Sequence, residues 1–244
     1  MTDRSTPPVF TKVLPLLTSA PEHPDLGRGY LDLLGGQEGP APGPIQWFWE
    51  TGFGSAFYDR LQQLGRRALP GWFQLPARTR PPAGGRVLDI GCGPGNVTAA
   101  LGRQVGPDGL AIGLDVSRPM LARAARTETR DNVGFVRADA RDLPFPDGTF
   151  DLITSMAALQ LVPGPEHVLA AACRALAPGG WLAVMTPTPH GGLLHAASRM
   201  TGGRLGLRFF DPDRVAELLD DNGMRAVHTH QSGPVLWISA QRRS

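Results

Sequence analysis

Between residues 86 and 185, short aliphatic runs that end in a turn or an acid alternate with longer stretches whose apolar positions recur every three or four residues. Runs of the first kind are buried strands and stretches of the second are amphipathic helices. The pattern predicts strands at 86–90, 110–115, 133–137, 150–155 and 181–185. Helices at 96–105, 118–128 and 165–176 fall between them, and the turn Ala177-Pro-Gly-Gly180 leads into the fifth strand. Strand and helix in strict alternation, with short connections, give an α/β fold with a doubly wound, mostly parallel sheet covered by helices on both faces. The end of the chain differs. A helix at 212–222, a strand at 224–230, the turn Ser232-Gly-Pro234 and a strand at 235–241 predict a C-terminal antiparallel hairpin.

The first 82 residues break this rhythm and are expected to form an N-terminal helical extension, leaving 83–244 as the sheet domain. Residues 1–43 are rich in Pro and Gly, with two short apolar pieces, Val9–Leu17 and Gly29–Leu34, expected as short helices or turns that pack on something else. A linker at 37–44 precedes an aromatic segment, in which helical phasing puts Trp49, Phe53 and Phe57 near one face. That face suits packing on the sheet domain or roofing a site, with Tyr58 as the contact that offers a polar tip. Pro76–Gly85 is a second linker.

The most informative stretch is Arg86-Val-Leu-Asp-Ile-Gly-Cys-Gly-Pro-Gly95, where a strand runs into Gly91, Gly93 and Gly95 at alternate positions. Such a loop is almost bare main chain, so a ligand can lie against its N–H groups. It is not the dinucleotide fingerprint Gly-x-Gly-x-x-Gly, because the order is Asp89-x-Gly91-x-Gly93-x-Gly95 and position 96 is Asn. A carboxylate at Asp89 disfavours a pyrophosphate and suits an ammonium group. A second strand ends at Asp115, 26 positions after Asp89, where an acid can accept from both hydroxyls of a ribose. Taken singly, a glycine cluster is a tight turn and an acid at a strand end is a helix cap. Together these residues resemble motif I and the following acidic position of the class I S-adenosylmethionine-dependent methyltransferases, which implies a Rossmann-like fold.

That resemblance implies S-adenosyl-L-methionine as cofactor and S-adenosyl-L-homocysteine as product. It places Asp89, Gly91, Cys92, Gly93, Gly95, Asp115, Val116, Met120, Asp139, Ala140 and Ser155 around the cofactor. Asp139 and Ala140 resemble the adenine-side motif, in which the acid accepts from the amino group and the next N–H donates to the ring. Met120 is placed to lie on the adenine face. Many relatives of the ubiquinone and menaquinone type have His where this chain has Gln160, and an amide can orient a substrate but cannot take a proton. His195, with His190, lies in a Gly-rich passage after the fifth strand and is the other candidate base, while Tyr58 and Gln160 are candidates for positioning the acceptor. The Asn/Asp-Pro-Pro-aromatic tetrapeptide of nucleic-acid amino methyltransferases is missing.

Composition narrows the partners. A formal charge of +2, with basic residues in no stripe, argues against nucleic acid. Two cysteines suggest neither a disulfide framework nor a metal site. No stretch has the length of a membrane span or the build of a signal peptide, so the expectation is a cytoplasmic monomer or homodimer acting on a small-molecule substrate. Lys12 is the only lysine, which removes the Tyr-x-x-x-Lys pair of a short-chain dehydrogenase. A cofactor-binding protein without transferase activity and an RNA or protein methyltransferase remain as alternatives.

Overall fold

The computed structural model describes residues 7–36, 75–188 and 208–244. They form an eight-stranded sheet from β1 (Leu31–Asp32), β2 (Arg86–Ile90), β3 (Leu110–Asp115), β4 (Val133–Arg137), β5 (Phe150–Met156), β6 (Leu176–Pro187), β7 (Met224–Ser232) and β8 (Val235–Arg242). Spatial order is β1-β4-β3-β2-β5-β6-β8-β7. Pairing is parallel from β1 to β6, then antiparallel for β8 on β6 and β7 on β8. The expected parallel sheet with a terminal hairpin is therefore the fold.

Because β2, β3 and β4 are covered on both faces, their residues are apolar in continuous runs and not in alternation. Helix α1 (Pro8–Val13), α4 (Pro165–Ala175) and α5 (Pro212–Asp221) pack on the face that carries Leu88, Ile112, Val136, Ile153 and Val184. Helices α2 (Asn96–Val105) and α3 (Arg118–Thr127) cover the other, around Val87, Ala111, Phe135 and Leu152. Helix α5 starts on a side-chain cap, with Asp211 accepting from the N–H groups of Asp213 and Arg214.

Two elements differ from the pattern's expectation. Strand β6 begins at Leu176, paired with Phe150, and its register then jumps to Trp181 opposite Leu152. Ala177–Gly180 is thus a bulge inside one long strand and not a turn that precedes a shorter one. The second N-terminal apolar piece, expected as a helix or turn, supplies β1, which pairs in parallel with β4 through Leu31↔Val136 and Asp32↔Arg137. Val9, Phe10, Val13, Tyr30 and Leu31 are fully buried, so residues 7–36 are stitched into the sheet domain. At the stitch, Arg137 donates to Asp32 at 3.0 Å, to the Gly35 carbonyl at 3.1 Å and, through Nε, to the Val116 carbonyl at 3.1 Å. The aromatic segment with Tyr58, and His190 and His195, lie outside the described residues.

Candidate functional site

The chain leaves β2 towards β3 and β4 on one side, and returns to place β5 and β6 on the other. A crevice opens at such a reversal, beyond the carboxyl ends of the strands. Here that point lies between β2 and β5, with Asp89 in register with Thr154. Asp89 is 1% exposed, and its two oxygens accept from the hydroxyls of Thr98, at 2.8 Å, and Thr154, at 2.9 Å. Burial pushes its carboxyl up to about 6, helped by the charge of Asp115 and opposed by the two threonines. It stands behind the loop as a braced negative charge.

The three glycines have separate reasons. A Cβ at Gly91 would sit 2.2 Å from the Cβ of Ala158, and one at Gly95 would sit 2.7 Å from the ring of Phe135, so both are required by packing. At Gly93, φ is +51° and nothing among the described residues lies within 4 Å of the missing Cβ, so open space flanks this stretch of main chain. The loop curls over β3, with the N–H groups of Gly91 and Cys92 both donating to the Leu114 carbonyl, at 2.7 and 3.1 Å. Helix α2 starts from Gly95, which is in the left-handed conformation and provides no side-chain cap. Cys92 is buried, and desolvation together with the charges of Asp115 and Asp89 holds its thiol protonated.

Asp115 ends β3 half-buried, accepting from the N–H of Gly93 at 2.8 Å and of Ser117 at 2.9 Å. Burial raises its carboxyl while these amides and that of Val116 lower it. With three amides about it, the carboxylate still has acceptor capacity left over. The Ser117 hydroxyl beside it is buried without a partner among the described residues. Val116 and Met120 are half-buried next along the chain. Asp139 and Ala140 follow β4 at the same end of the sheet, where Asp139 takes a two-pronged bond from Arg141, at 3.0 Å from Nε and 2.6 Å from the terminal nitrogen. The guanidinium holds that carboxyl below its usual range.

Across the crevice the chemistry changes. Ser155 is buried and donates to the Ile90 carbonyl at 2.9 Å, so it ties β5 to β2 and points at no open space. The next turn carries Ala157 at φ +55°, a conformation that costs an L-residue about 1–2 kcal/mol. Gln160 is 5% exposed; its side-chain nitrogen donates to the Ala157 carbonyl at 2.6 Å and its oxygen faces the Thr186 hydroxyl at 3.5 Å. Met185, Val235 and Trp237 form a small apolar cluster with Leu75, Met156 and Ala157.

The family resemblance grouped Asp89, the glycines, Asp115, Val116, Met120, Asp139 and Ala140 about one cofactor, and in the structure these residues lie at one end of the sheet. It missed Thr98 and Thr154, the braces of Asp89. Thr98 lies in the first turn of α2 and was within reach of the loop's own pattern. Thr154 becomes visible only once β5 is known to lie beside β2.

A doubly wound sheet with a hairpin end, an Asp-x-Gly-x-Gly-x-Gly loop at its switch point and an acid closing the next strand are the features in which this chain resembles the class I S-adenosylmethionine-dependent methyltransferases. Comparison agrees: residues 87–180 match the methyltransferase domain family. A demethylmenaquinone methyltransferase of Symbiobacterium thermophilum is 39% identical over 129 residues, covering 50% of this chain and 51% of that protein. A 27-O-demethylrifamycin SV methyltransferase of Amycolatopsis mediterranei is 37% identical over 125 residues, 48% of this chain and 44% of that one. The chain thus spans about half the length of the curated relatives it matches. Among solved structures, an S-adenosylmethionine-dependent methyltransferase of Thermotoga maritima, titled a possible histamine N-methyltransferase, superposes with a TM-score of 0.62 at 21% identity. It covers 82% of this chain and all of its own. No helix among the described residues is long and apolar enough to cross a membrane.

Proposed function

We propose that this chain transfers the methyl group of S-adenosyl-L-methionine to a small organic acceptor by in-line displacement. The observation that carries the proposal is the open flank of Gly93, set between a braced acid behind the loop and a half-buried acid beside it. Glycine here leaves room for an amino-acid chain against the backbone. The remaining acceptor positions of Asp115 suit the two ribose hydroxyls, and the negative charge of Asp89 draws an ammonium group. Asp139 and Ala140 suit the adenine edge.

The bound cofactor would supply an electrophilic methyl carbon on a sulfonium. The protein's part is to align the nucleophile with that carbon and to keep water away, and alignment by itself accounts for several kcal/mol of barrier. The apolar cluster of Met156, Met185 and Trp237 suits the second task. Acceptors that ionise readily, such as acidic phenols or their ring carbons, need the least help with proton removal and are the first to test. The relatives named for a menaquinone precursor and for a rifamycin support a small organic acceptor.

Calorimetry of the full chain with S-adenosyl-L-homocysteine tests the cofactor half: heat of binding is expected, and Asp115→Ala should weaken it about 100-fold through loss of two charge-assisted bonds. Methyl-labelled cofactor offered with phenolic and quinol acceptors tests the other half. Label that enters organic-extractable product supports the proposal; label only in RNA or protein redirects it, and no heat with wild type sinks it.

A further inference from the structure

The turn that leaves β5 contains one of two non-glycine residues at positive φ among the described residues, and its position matters. Ala226, the other, lies in the edge strand β7 at the shift of register against β8, far along the sheet from the crevice. Ala157 follows the carboxyl end of β5, the strand beside β2, where its N–H still donates to the Met185 carbonyl at 2.7 Å. The residue after it, Ala158, abuts the loop so closely that Gly91 has no room for a Cβ. The backbone turn at 157–158 is therefore one wall of the glycine loop.

A strained turn persists only where its surroundings over-determine it. The groups that do so converge on Gln160. Its side chain is buried and its amide nitrogen holds the Ala157 carbonyl at 2.6 Å. Its side-chain oxygen faces Thr186 of β6, and its main-chain carbonyl accepts from the N–H of Arg208 at 2.8 Å. The amide is thus directed into the protein and not across the crevice. We infer that Gln160 is a positioning residue: it holds Ala157 in the left-handed conformation and, through Ala158, fixes the wall on which the glycine loop rests. A direct contact with the acceptor is then unnecessary to explain a buried Gln at this place. The inference rests on the cofactor site proposed above.

Its signature is a dependence on residue 157. Glycine takes positive φ without the penalty that an L side chain carries, so Ala157→Gly should make the bond from Gln160 less needed. The experiment is a double-mutant cycle on the full chain, titrated with S-adenosyl-L-homocysteine. Gln160→Ala in the wild-type background is expected to weaken binding about tenfold, from a lost buried bond and a turn released from strain. The same change on top of Ala157→Gly is expected to weaken it only about twofold. Gln160→Met, closer in volume, replaces Gln160→Ala should that variant not fold. Equal losses in both backgrounds, with wild-type binding intact, would overturn the positioning role alone. No binding by wild type would remove the cofactor site, and the positioning with it.

Discussion

The two flanks of the switch point are built on different principles. On the side of β2, β3, β4 and β1 the acids are held by named partners: Asp89 by two threonines, Asp115 by two amides, and Asp32 by Arg137. On the side of β6 and β8 the lining near the crevice is Met185, Val235 and Trp237, and the buried polar side chains are uncharged, among them Gln160 beside the strained turn and Thr186 on β6. The first flank suits a ligand of fixed shape with charges at known places. The second suits a ligand recognised by shape and dryness.

The largest effect should come from the far edge of the first flank. Arg137 and Asp32 have side chains only 3% and 2% exposed, so removing one partner leaves the other charged and buried. Arg137→Met is expected to cost about 3–5 kcal/mol in urea unfolding, and the double variant Arg137→Met/Asp32→Leu to restore much of it. Should the single variant cost no more than a surface change, the flank is not the buried polar network it looks like.

The glycine loop sharpens the contrast between packing and ligand space. Gly91→Ala meets Ala158 at 2.2 Å and also carries a φ of +69°, and should destabilise the fold by about 2–4 kcal/mol. Gly93→Ala enters open space, so its cost is the conformational one alone, about 1–2 kcal/mol. Its affinity for S-adenosyl-L-homocysteine should nonetheless fall at least about tenfold, because the new methyl occupies the ligand's bed. Chemical denaturation should therefore rank Gly91→Ala as the less stable variant, while the loss of affinity in Gly93→Ala should exceed what its small stability cost accounts for.

Legibility in the sequence divides along the same line. The first flank was readable because its chemistry is local: a strand, a loop and a helix lie within residues 86–105, and the next acid ends the next aliphatic run. The second flank brings together Leu75, Met156, Met185 and Trp237, residues spread over 160 positions and joined only by the order of strands. No local periodicity marks such a cluster. The same holds for Asp32 and Arg137, which meet because a two-residue strand adds to the sheet edge, and for Gln160, whose inward-facing amide depends on a backbone angle at Ala157.

The acid behind the loop makes the first flank sensitive to pH. In the folded chain Asp89 ionises at about 6 against an ordinary 3.8. Between those values the folded state keeps a proton that the unfolded state has lost, so stability from this group rises as pH falls from 6 towards 4 and is lost as pH rises through 6. The full effect is about 3 kcal/mol, to which Asp115, shifted the same way, adds. An ammonium group prefers the ionised form, so affinity for S-adenosyl-L-homocysteine should move oppositely, dropping below pH 6 by up to roughly tenfold per unit. Asp89→Asn should flatten both trends. Affinity independent of pH from 5 to 7 would show that the acid does not face the ligand's charge.

The smallest effect separates a polar group that belongs to the network from one that only neighbours it. Asp139 is held by Arg141, two residues on, and the guanidinium is largely in water. Arg141→Ala should therefore change stability by no more than about 0.5 kcal/mol. Loss of the guanidinium also lets the Asp139 carboxyl return towards its ordinary range and frees its oxygens for an amino group. If Asp139 serves the adenine edge, affinity for S-adenosyl-L-homocysteine should stay level or tighten slightly in this variant, whereas Asp139→Ala should weaken it. A matched weakening in both would mean that the pair acts as a unit, with Arg141 as part of the site's wall.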